Sequence, residues 1–371
     1  MIAYKLQIDA KTKARPFDVV SPSDFATSGK ESFNPMMILS DPSYTLYCLD
    51  HTNKQILFVK TPPDINLLEA PCYFIAQYEA AEQVIAVPYE TLHTLAQSVS
   101  VDPHQIIFFY STGRCGSTLM SHVMNLSESV VSYSEPDVFS QLVKLHTARL
   151  CSDDEIVTLL HDTVMVMAMN AHLQGYHYIS FKFRSYILSI SELLYQAIPS
   201  ARNLFMYRDA LTWAQSFSRA FGTSDEGLKA NMEGEVFRYM IPMVNDHLVK
   251  NDNKIRWTEY LAYMWLEAMQ NGRKLQQRDA MLAQASFEAL QENPHAVIRA
   301  MLTDCGLPLP SADALEQVLG RDSQSGTMGA RNKVEPARSL SDSELAEIAE
   351  IIFDNLSVTK LKVISVRNRL F

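Results

Sequence analysis

The chain has 371 residues, of which 47% are hydrophobic and 20% charged, and its net charge at pH 7 is −10. These values are typical of a globular protein with a sizeable core and argue against a disordered chain. The negative net charge argues against a general binder of nucleic acid or anionic membranes, which needs a basic face, but it leaves room for a local basic pocket that holds one anion.

Two further features bear on where the protein works. The N-terminus has no apolar signal core, and no stretch is predicted to be long enough to span a bilayer. The five cysteines are scattered without a CxxC pair, which predicts buried or free thiols in a reducing compartment and disfavours a zinc site. We therefore expect a soluble cytoplasmic protein that binds neither membrane nor nucleic acid.

Residues 1–100 predict a small β-rich region that differs from the rest of the chain. The segments TLYCLD and QILFVK flank the polar HTN and predict a hairpin. The stretch CYFIAQYEAAEQVIAVP predicts further strands, and YETLHTLAQSV predicts a short helix. No catalytic pattern occurs here, so we expect a cap or docking module of unknown role, followed by a second domain over 101–371.

From about residue 104, strand-like and helix-like segments alternate, which predicts an α/β fold with a mainly parallel central sheet flanked by helices. IIFFY, HYISFKF and NLFMY are the clearest strands. Capping patterns predict helices that begin near Ser152 and Ser341, and Gly222 is predicted to end another. Longer helical patterns occupy 227–248 and 257–278, followed by a short strand, a turn and a helix.

The sequence IIFFYSTGRCGSTLM predicts a strand, a tight loop and a helix N-terminus that together bind an anion. Unpaired N–H groups and the helix dipole attract negative charge there, and glycines allow the tight turn. A Walker A loop has a lysine after its last glycine, but Ser117 takes that place here. The loop therefore suits an anion other than a metal-bridged triphosphate. Its predicted phosphate-binding residues are Gly113, Arg114, Cys115, Gly116, Ser117 and Thr118.

A second pattern lies at the end of the strand NLFMY. Arg208 follows this strand, and Ser216 lies two turns into the next helix, so both can face one ligand beside the loop. A phosphatase mechanism based on Cys115 would need an arginine six positions later, whereas residue 121 is serine. Taken alone, Arg208 is better explained as an arginine that pairs with Asp209 or caps a neighbouring helix.

Together, the GRCGST loop at 113–118 and the Arg208 to Ser216 spacing resemble the sulfotransferase superfamily over about residues 104–340. The loop sequence is most similar to those of tyrosylprotein-type and bacterial sulfotransferases. The resemblance implies a P-loop-type sulfotransferase fold and 3′-phosphoadenosine 5′-phosphosulfate (PAPS) as co-substrate, without a metal. It assigns the 5′-phosphate to the loop, the 3′-phosphate to Arg208 and Ser216, with Arg219 a weaker candidate, and charge stabilisation on the leaving group to Arg114.

The resemblance also implies a general base. Cytosolic sulfotransferases use a histidine in a K-T-H strand ending, but FKFR keeps only Lys182 and has Arg184 in the place of the histidine. Tyrosylprotein-type enzymes use a glutamate after the second strand, a place that Glu135 matches within one residue. We therefore expect Glu135 to be the base, if burial raises its pKa toward neutrality, and Lys182 to assist the leaving group.

The remaining assignments are a closing loop and an acceptor. GTMGARNK, with Arg331 and Lys333, matches the late basic loop of the family that covers the nucleotide. A small hydroxylated metabolite is the expected acceptor, and the oligomeric state is open. Two alternatives stay open: a nucleotide kinase with a degenerate Walker A loop, in which Asp209 would hold Mg²⁺, and a non-catalytic nucleotide-binding protein.

Overall fold

The computed structural model describes residues 2–233, 238–278, 281–325, 330 and 336–355. Contacts divide the chain into two compact units, each built from several stretches. The first unit takes Met1–Phe108, Met124–Arg184 and Glu192–Arg202, and the second takes Phe109–Val123, Ser185–Ser191 and Asn203–Phe371. The domain boundary near residue 100 stays a prediction.

The N-terminal sheet belongs to the first unit and has five strands in the order β2-β1-β5-β4-β3, paired antiparallel. The hairpin predicted around HTN is confirmed, since its two strands pair from Tyr44↔Lys60 to Asp50↔Gln55. The predicted β-rich N-terminal region is therefore confirmed. Its strands are β1 Ala3–Lys11, β2 Phe25–Phe33, β3 Tyr44–Asp50, β4 Gln55–Lys60 and β5 Gln83–Pro88.

One prediction in this region is wrong. The stretch from Tyr73 to Ala80 forms a helix, α1, and only the residues after it form β5. Phe74 and Gln77 lie three positions apart and are both buried, which is a helical spacing. The amide of Gln77 donates to Thr45 Oγ1 and to the Leu46 carbonyl, both at 2.9 Å, so tertiary contacts outweigh the strand propensity of the aromatic residues.

The second sheet has five strands in the order β10-β9-β6-β8-β7. The β9–β10 and β7–β8 pairs run parallel, and helices flank the sheet, as the sequence predicted. Every residue of β6 is buried, as expected for a strand covered on both faces. The strands are β6 Ile106–Ser111, β7 Val130–Ser134, β8 Tyr178–Lys182, β9 Arg202–Tyr207 and β10 Met281–Ser286.

The predicted helix ends are largely confirmed. Ser152 Oγ accepts the Glu155 N–H at 3.2 Å, Ser341 and Glu344 cap each other reciprocally, and Gly222 ends a helix. The other described α-helices are α2 Tyr89–Gln97, α3 Ser117–Met124, α4 Val138–Thr147, α5 Asp153–Leu173, α6 Ser191–Ala197, α7 Ala210–Phe221, α8 Asp225–Glu233, α9 Pro242–Lys250, α10 Trp257–Gln277, α11 Phe287–Glu292, α12 Pro294–Asp304, α13 Ala312–Leu319 and α14 Asp342–Asn355.

Two helical predictions need correction. The pattern over 227–248 is not one helix, because α8 ends at Glu233 and α9 begins at Pro242. Proline is suited to the first position of a helix, where a backbone N–H would have no partner within the helix. The turn expected after the short strand 281–286 is the helix α11, which Ser286 caps through the Ala289 N–H. Both errors concern where helices begin and end.

The helix α5 corrects the expectation that no stretch is long enough to span a membrane. It has 21 residues and is long and apolar enough to do so by length and composition. However, 67% of its most apolar window is buried inside the protein. Its apolar residues are therefore explained by packing in the core of the first unit.

Candidate functional site

The loop between β6 and α3 turns through three left-handed backbone positions. The φ angles are 74° at Gly113, 54° at Arg114 and 84° at Gly116. A positive φ is uncommon for arginine and costs on the order of 1 kcal/mol or more, so the surroundings must hold it. The turn ends at Ser117, where α3 begins and where the first amides have no partner within the helix.

Gly116 is required for a second reason, which is close packing. A Cβ atom at this position would lie 2.7 Å from Leu290 Cδ2 and 3.7 Å from Phe287 Cδ2. At Gly113, by contrast, the nearest atoms to a Cβ would be those of Ser185 at 3.9 Å. Helix α11 therefore packs directly against the last glycine of the loop, and no side chain fits between them.

Backbone and side-chain hydrogen bonds fix the start of the loop. The Thr112 N–H donates to the Met206 carbonyl at 3.0 Å, and the Trp213 indole N–H donates to the Thr112 carbonyl at 2.9 Å. Farther along, Gln324 Nε2 donates to Thr118 Oγ1 at 2.6 Å. Trp213 and Gln324 were not singled out from the sequence, since neither lies in a motif.

Arg114, Arg208 and Ser216 lie together beside this loop. Arg208 Nη1 donates to the Arg114 carbonyl at 3.1 Å, and Arg114 Nε donates to Ser216 Oγ at 3.2 Å. Arg208 also donates from Nε to Thr212 Oγ1 at 3.2 Å, and its guanidinium lies 4.3 Å from the centre of the Phe287 ring. The structure thus brings the two predicted motifs into contact within the second unit.

The positive charges of the two guanidinium groups repel each other. Burial and the neighbouring charge of Arg208 lower the pKa of Arg114, and burial lowers the pKa of Arg208. Both groups stay protonated at neutral pH, because an arginine pKa begins far above it. An anion placed between them would relieve this repulsion, which is the electrostatic basis of a phosphate site.

A cavity of about 540 Å³ opens beside these residues, a volume suited to a nucleotide-sized ligand. It includes three arginines and no carboxylate among its described lining residues. Asp209 caps α7 by accepting the N–H groups of Leu211 and Thr212, so its carboxylate already has partners. The cavity is lined by Arg114, Arg208, Leu211, Thr212, Gln215, Ser216, Arg219, Ala220, Ala330, Pro336 and Leu345.

Of the predicted closing loop, only Ala330 is among the described residues, and it lines the cavity. Both of its basic residues, Arg331 and Lys333, lie outside the described residues. Phe287, the first residue of α11, contacts Arg208 and lies beside Gly116.

Glu135 lies in the first unit, directly after β7, and is held by two strands. Its N–H donates to the Lys182 carbonyl at 2.7 Å, and Lys182 Nζ donates to Glu135 Oε1 at 2.5 Å. The Cys72 thiol donates to the other carboxylate oxygen, Oε2, at 3.7 Å. The Lys182 side chain is 3% exposed, and that of Glu135 is 21% exposed.

The pKa of Glu135 is shifted opposite to expectation. Burial alone raises it, but the positive charges of Lys182 and Arg184 and the hydrogen bonds from Lys182 and Cys72 outweigh burial and lower it. The condition attached to Glu135 as the base, a pKa raised toward neutrality, is therefore not met. The carboxylate is ionised at neutral pH, as a base must be, but it is a weaker base than expected.

Arg184, which stands in place of the family histidine, forms a buried ion pair. Its Nη1 donates to Asp137 Oδ1 at 3.1 Å, and the Asp137 side chain is fully buried. Burial raises the pKa of Asp137, although Arg184 and the hydroxyl of Ser140 counteract this. Arg184 therefore holds a buried carboxylate and adds positive charge near Glu135.

Three possible metal ligands cluster elsewhere in the first unit. The ligand atoms of His51, Cys151 and Glu155 lie within 4.8 Å of one another. However, Lys54 Nζ lies 2.8 Å from Glu155 Oε1 and 3.2 Å from His51 Nε2. Burial and the Glu155 charge raise the pKa of Cys151 to about 11, so its thiol is protonated. The Lys54 ammonium therefore pairs with two members of this cluster in the structure.

A scan against family models and a search of curated proteins found no match. Among solved structures, the chain is similar to a sulfotransferase from Alicyclobacillus acidocaldarius, at 14% identity and a TM-score of 0.41, over 69% of this chain and 94% of that one. It is also similar to the sulfotransferase domain of the curacin biosynthetic pathway, at 16% identity and a TM-score of 0.38, over 66% and 96%.

A third similar structure is retinol dehydratase in complex with androsterone and inactive cofactor PAP, at 10% identity and a TM-score of 0.35, over 85% of this chain and 96% of that one. The first two structures bear the name of the family that the sequence motifs resemble. Since each identity is below 25% and each TM-score below 0.5, the assignment of function depends on the residues of this chain.

Proposed function

We propose that the protein is a sulfotransferase that moves a sulfuryl group from PAPS to a hydroxyl of a small-molecule acceptor. The observation that carries the proposal is the contact of Arg114, Arg208 and Ser216 beside a glycine-turned helix N-terminus. The cytoplasmic location and the lack of nucleic-acid or membrane partners remain predictions from composition.

The residues fit a nucleotide that carries two separate anionic groups. The amides at the start of α3, with Gly116, Ser117 and Thr118, suit the 5′-phosphate. Arg208 and Ser216 suit the 3′-phosphate, which distinguishes PAPS from ATP. Arg114 donates to Ser216 in this arrangement, and an incoming phosphate would replace that hydrogen bond.

The proposed reaction is a direct displacement at sulfur. The acceptor oxygen attacks the sulfur, the bond from sulfur to the bridging phosphate oxygen breaks, and Glu135 takes the acceptor proton. Arg114 stabilises the negative charge on the departing phosphate, and Lys182 supports Glu135 or the leaving group. The products are the sulfated acceptor and adenosine 3′,5′-bisphosphate (PAP).

The two alternatives make different demands on the cavity. A kinase needs Mg²⁺ and a carboxylate to hold it, and neither a Walker lysine nor an uncommitted carboxylate lies among the described cavity residues. A non-catalytic binding protein would share the nucleotide pocket but not depend on Glu135.

Thermal unfolding with PAP or with ATP–Mg²⁺ tests the proposal. We expect PAP to raise Tm in a concentration-dependent way and ATP–Mg²⁺ to leave Tm nearly unchanged, because a ligand that binds the folded state stabilises it. The reverse result would favour the kinase. Turnover is followed as PAP release from PAPS with a panel of hydroxylated acceptors.

The variant Glu135→Gln separates enzyme from binding protein. We expect it to bind PAP normally and to lose turnover at least ~100-fold, since the amide cannot accept the proton. Glu128→Gln is the matched control, as this exposed glutamate precedes β7. Full turnover in Glu135→Gln would show that another group takes the proton.

A further inference from the structure

Residues of the N-terminal region contact the last residues of β7. The Ser134 hydroxyl donates to the Pro71 carbonyl at 2.7 Å. The rings of Tyr73 and Tyr133 lie 5.1 Å apart and are tilted by 70° in an edge-to-face contact, with both side chains buried. Residues immediately before α1 and at its start therefore contact the last residues of β7, within the first unit.

Cys72 lies between these two contacts in the sequence and touches the candidate base itself. Its side chain is buried, and its thiol donates to Glu135 Oε2 while Lys182 donates to Oε1. One carboxylate oxygen is therefore held by an ammonium group and the other by a thiol. An ion pair through one oxygen leaves a carboxylate free to rotate, and a second donor removes that freedom.

Three more contacts join the N-terminal region to residues that follow Glu135 in the chain. The Val20 N–H donates to Asp137 Oδ2 at 2.9 Å, and Arg184 Nη2 donates to the Phe17 carbonyl at 3.1 Å. The Arg184 guanidinium also lies 5.2 Å from the centre of the Phe74 ring. The segment around the base is thus fastened at three separate places to residues 17–74.

We propose that the N-terminal region is part of the catalytic unit, and that Cys72 is a positioning residue that orients the Glu135 carboxylate toward the acceptor. This inference rests on the proposed function of Glu135. It gives residues 1–100 a role that no sequence motif indicated. Burial and the Glu135 charge raise the pKa of Cys72, so the thiol keeps its proton and acts as a donor at neutral pH.

The variants Cys72→Ala and Cys72→Ser test this proposal. Cys48→Ala is the matched control, because Cys48 is, like Cys72, a buried cysteine of the N-terminal region, but it lies on β3 and is not a partner of Glu135. The first readout is the titration of the Glu135 carboxyl carbon by NMR, assigned by its loss in Glu135→Gln. We expect Cys72→Ala to raise the midpoint, Cys72→Ser to restore much of the shift, and Cys48→Ala to leave it unchanged.

The second readout is PAP release. We expect Cys72→Ala to lower kcat about tenfold with the KM for PAPS unchanged, and Cys72→Ser to recover most of the rate, because a hydroxyl also donates. An unshifted titration with an unchanged kcat in Cys72→Ala would overturn the proposal. If that variant fails to fold, Cys72→Ser together with Cys72→Met, which keeps bulk but removes the donor, decides it.

The titration separates this inference from the proposed function. A wild-type protein without turnover on any acceptor would overturn the proposed function, whereas a shifted titration in the same protein would still support Cys72 as the residue that orients Glu135.

Discussion

Glu135 has a backbone conformation that few glutamates adopt. Its φ angle is 62°, in the left-handed region, and its N–H bonds to the Lys182 carbonyl. Such a conformation costs on the order of 1–3 kcal/mol and persists only where the surroundings fix it. Together with the donors on each carboxylate oxygen, it indicates that the position of this side chain matters.

The pH dependence of turnover follows from the charge around Glu135. A general base works deprotonated, so the rate falls as pH drops through its pKa. Since the pKa of Glu135 lies below its ordinary 4.5, we expect kcat to stay level from about pH 8 to 5 and to fall only below pH 4.5. A measured acid limb between pH 6 and 7 would contradict the assignment.

Lys182→Met tests the cause of this shift. The substitution removes the strongest lowering charge and leaves burial, which raises the pKa, so we expect the acid limb to move upward. Lys54→Met is the control, since Lys54 is exposed and pairs with Glu155 instead. The position of the limb is the readout, because kcat itself also depends on Lys182. An unmoved limb would show that Lys182 does not set the pKa.

Gly116 and Gly113 give a matched pair of substitutions. Both have positive φ, but only at Gly116 would a Cβ meet a neighbour closer than 3.0 Å. We expect Gly116→Ala to lower the free energy of unfolding by about 1–3 kcal/mol more than Gly113→Ala and to weaken PAP binding further. Chemical denaturation and calorimetry measure the two effects. Equal losses would mean that Leu290 moves aside.

At the level of elements, α7 is joined to the loop through Trp213. The indole N–H is a buried donor to the Thr112 carbonyl, and Phe in its place would leave that carbonyl unpaired. We expect Trp213→Phe to weaken PAP binding several-fold. Trp257→Phe is the control, since the indole N–H of Trp257, on α10, donates to Ser218 on α7 and not to the loop. Equal affinities in the two variants would contradict the coupling.

The helices and strands that the sequence predicted correctly are those with a local signal in their own residues. The strands β6 and β9 each contain a run of apolar residues, and α5 and α14 carry capping side chains, which are local signals. The helix α1 was missed because Gln77 is buried by distant partners, Thr45 and Leu46. Local propensity contains no information about such partners.

At the level of the whole molecule, the sequence predicted from spacing that Arg208 and Ser216 face one ligand beside the loop, and hydrogen bonds join the two segments in the structure. It could not predict that Cys72 and Glu135 meet, since 63 residues separate them and neither lies in a shared motif. Nor could it predict the direction in which the pKa of Glu135 shifts, because that sign depends on Lys182 and Arg184.

Recognition of a 3′-phosphate by Arg208 and Ser216 can be measured by calorimetric titration with PAP and with 5′-AMP. The two ligands differ only in that group, and a buried phosphate held by an arginine contributes about 2–3 kcal/mol. We predict that the wild-type protein binds PAP at least ~30-fold more tightly than 5′-AMP. Arg208→Ala should remove most of this difference, and Arg299→Ala, at an exposed arginine on α12, should keep it. Equal affinity of the wild-type protein for PAP and 5′-AMP would contradict the account.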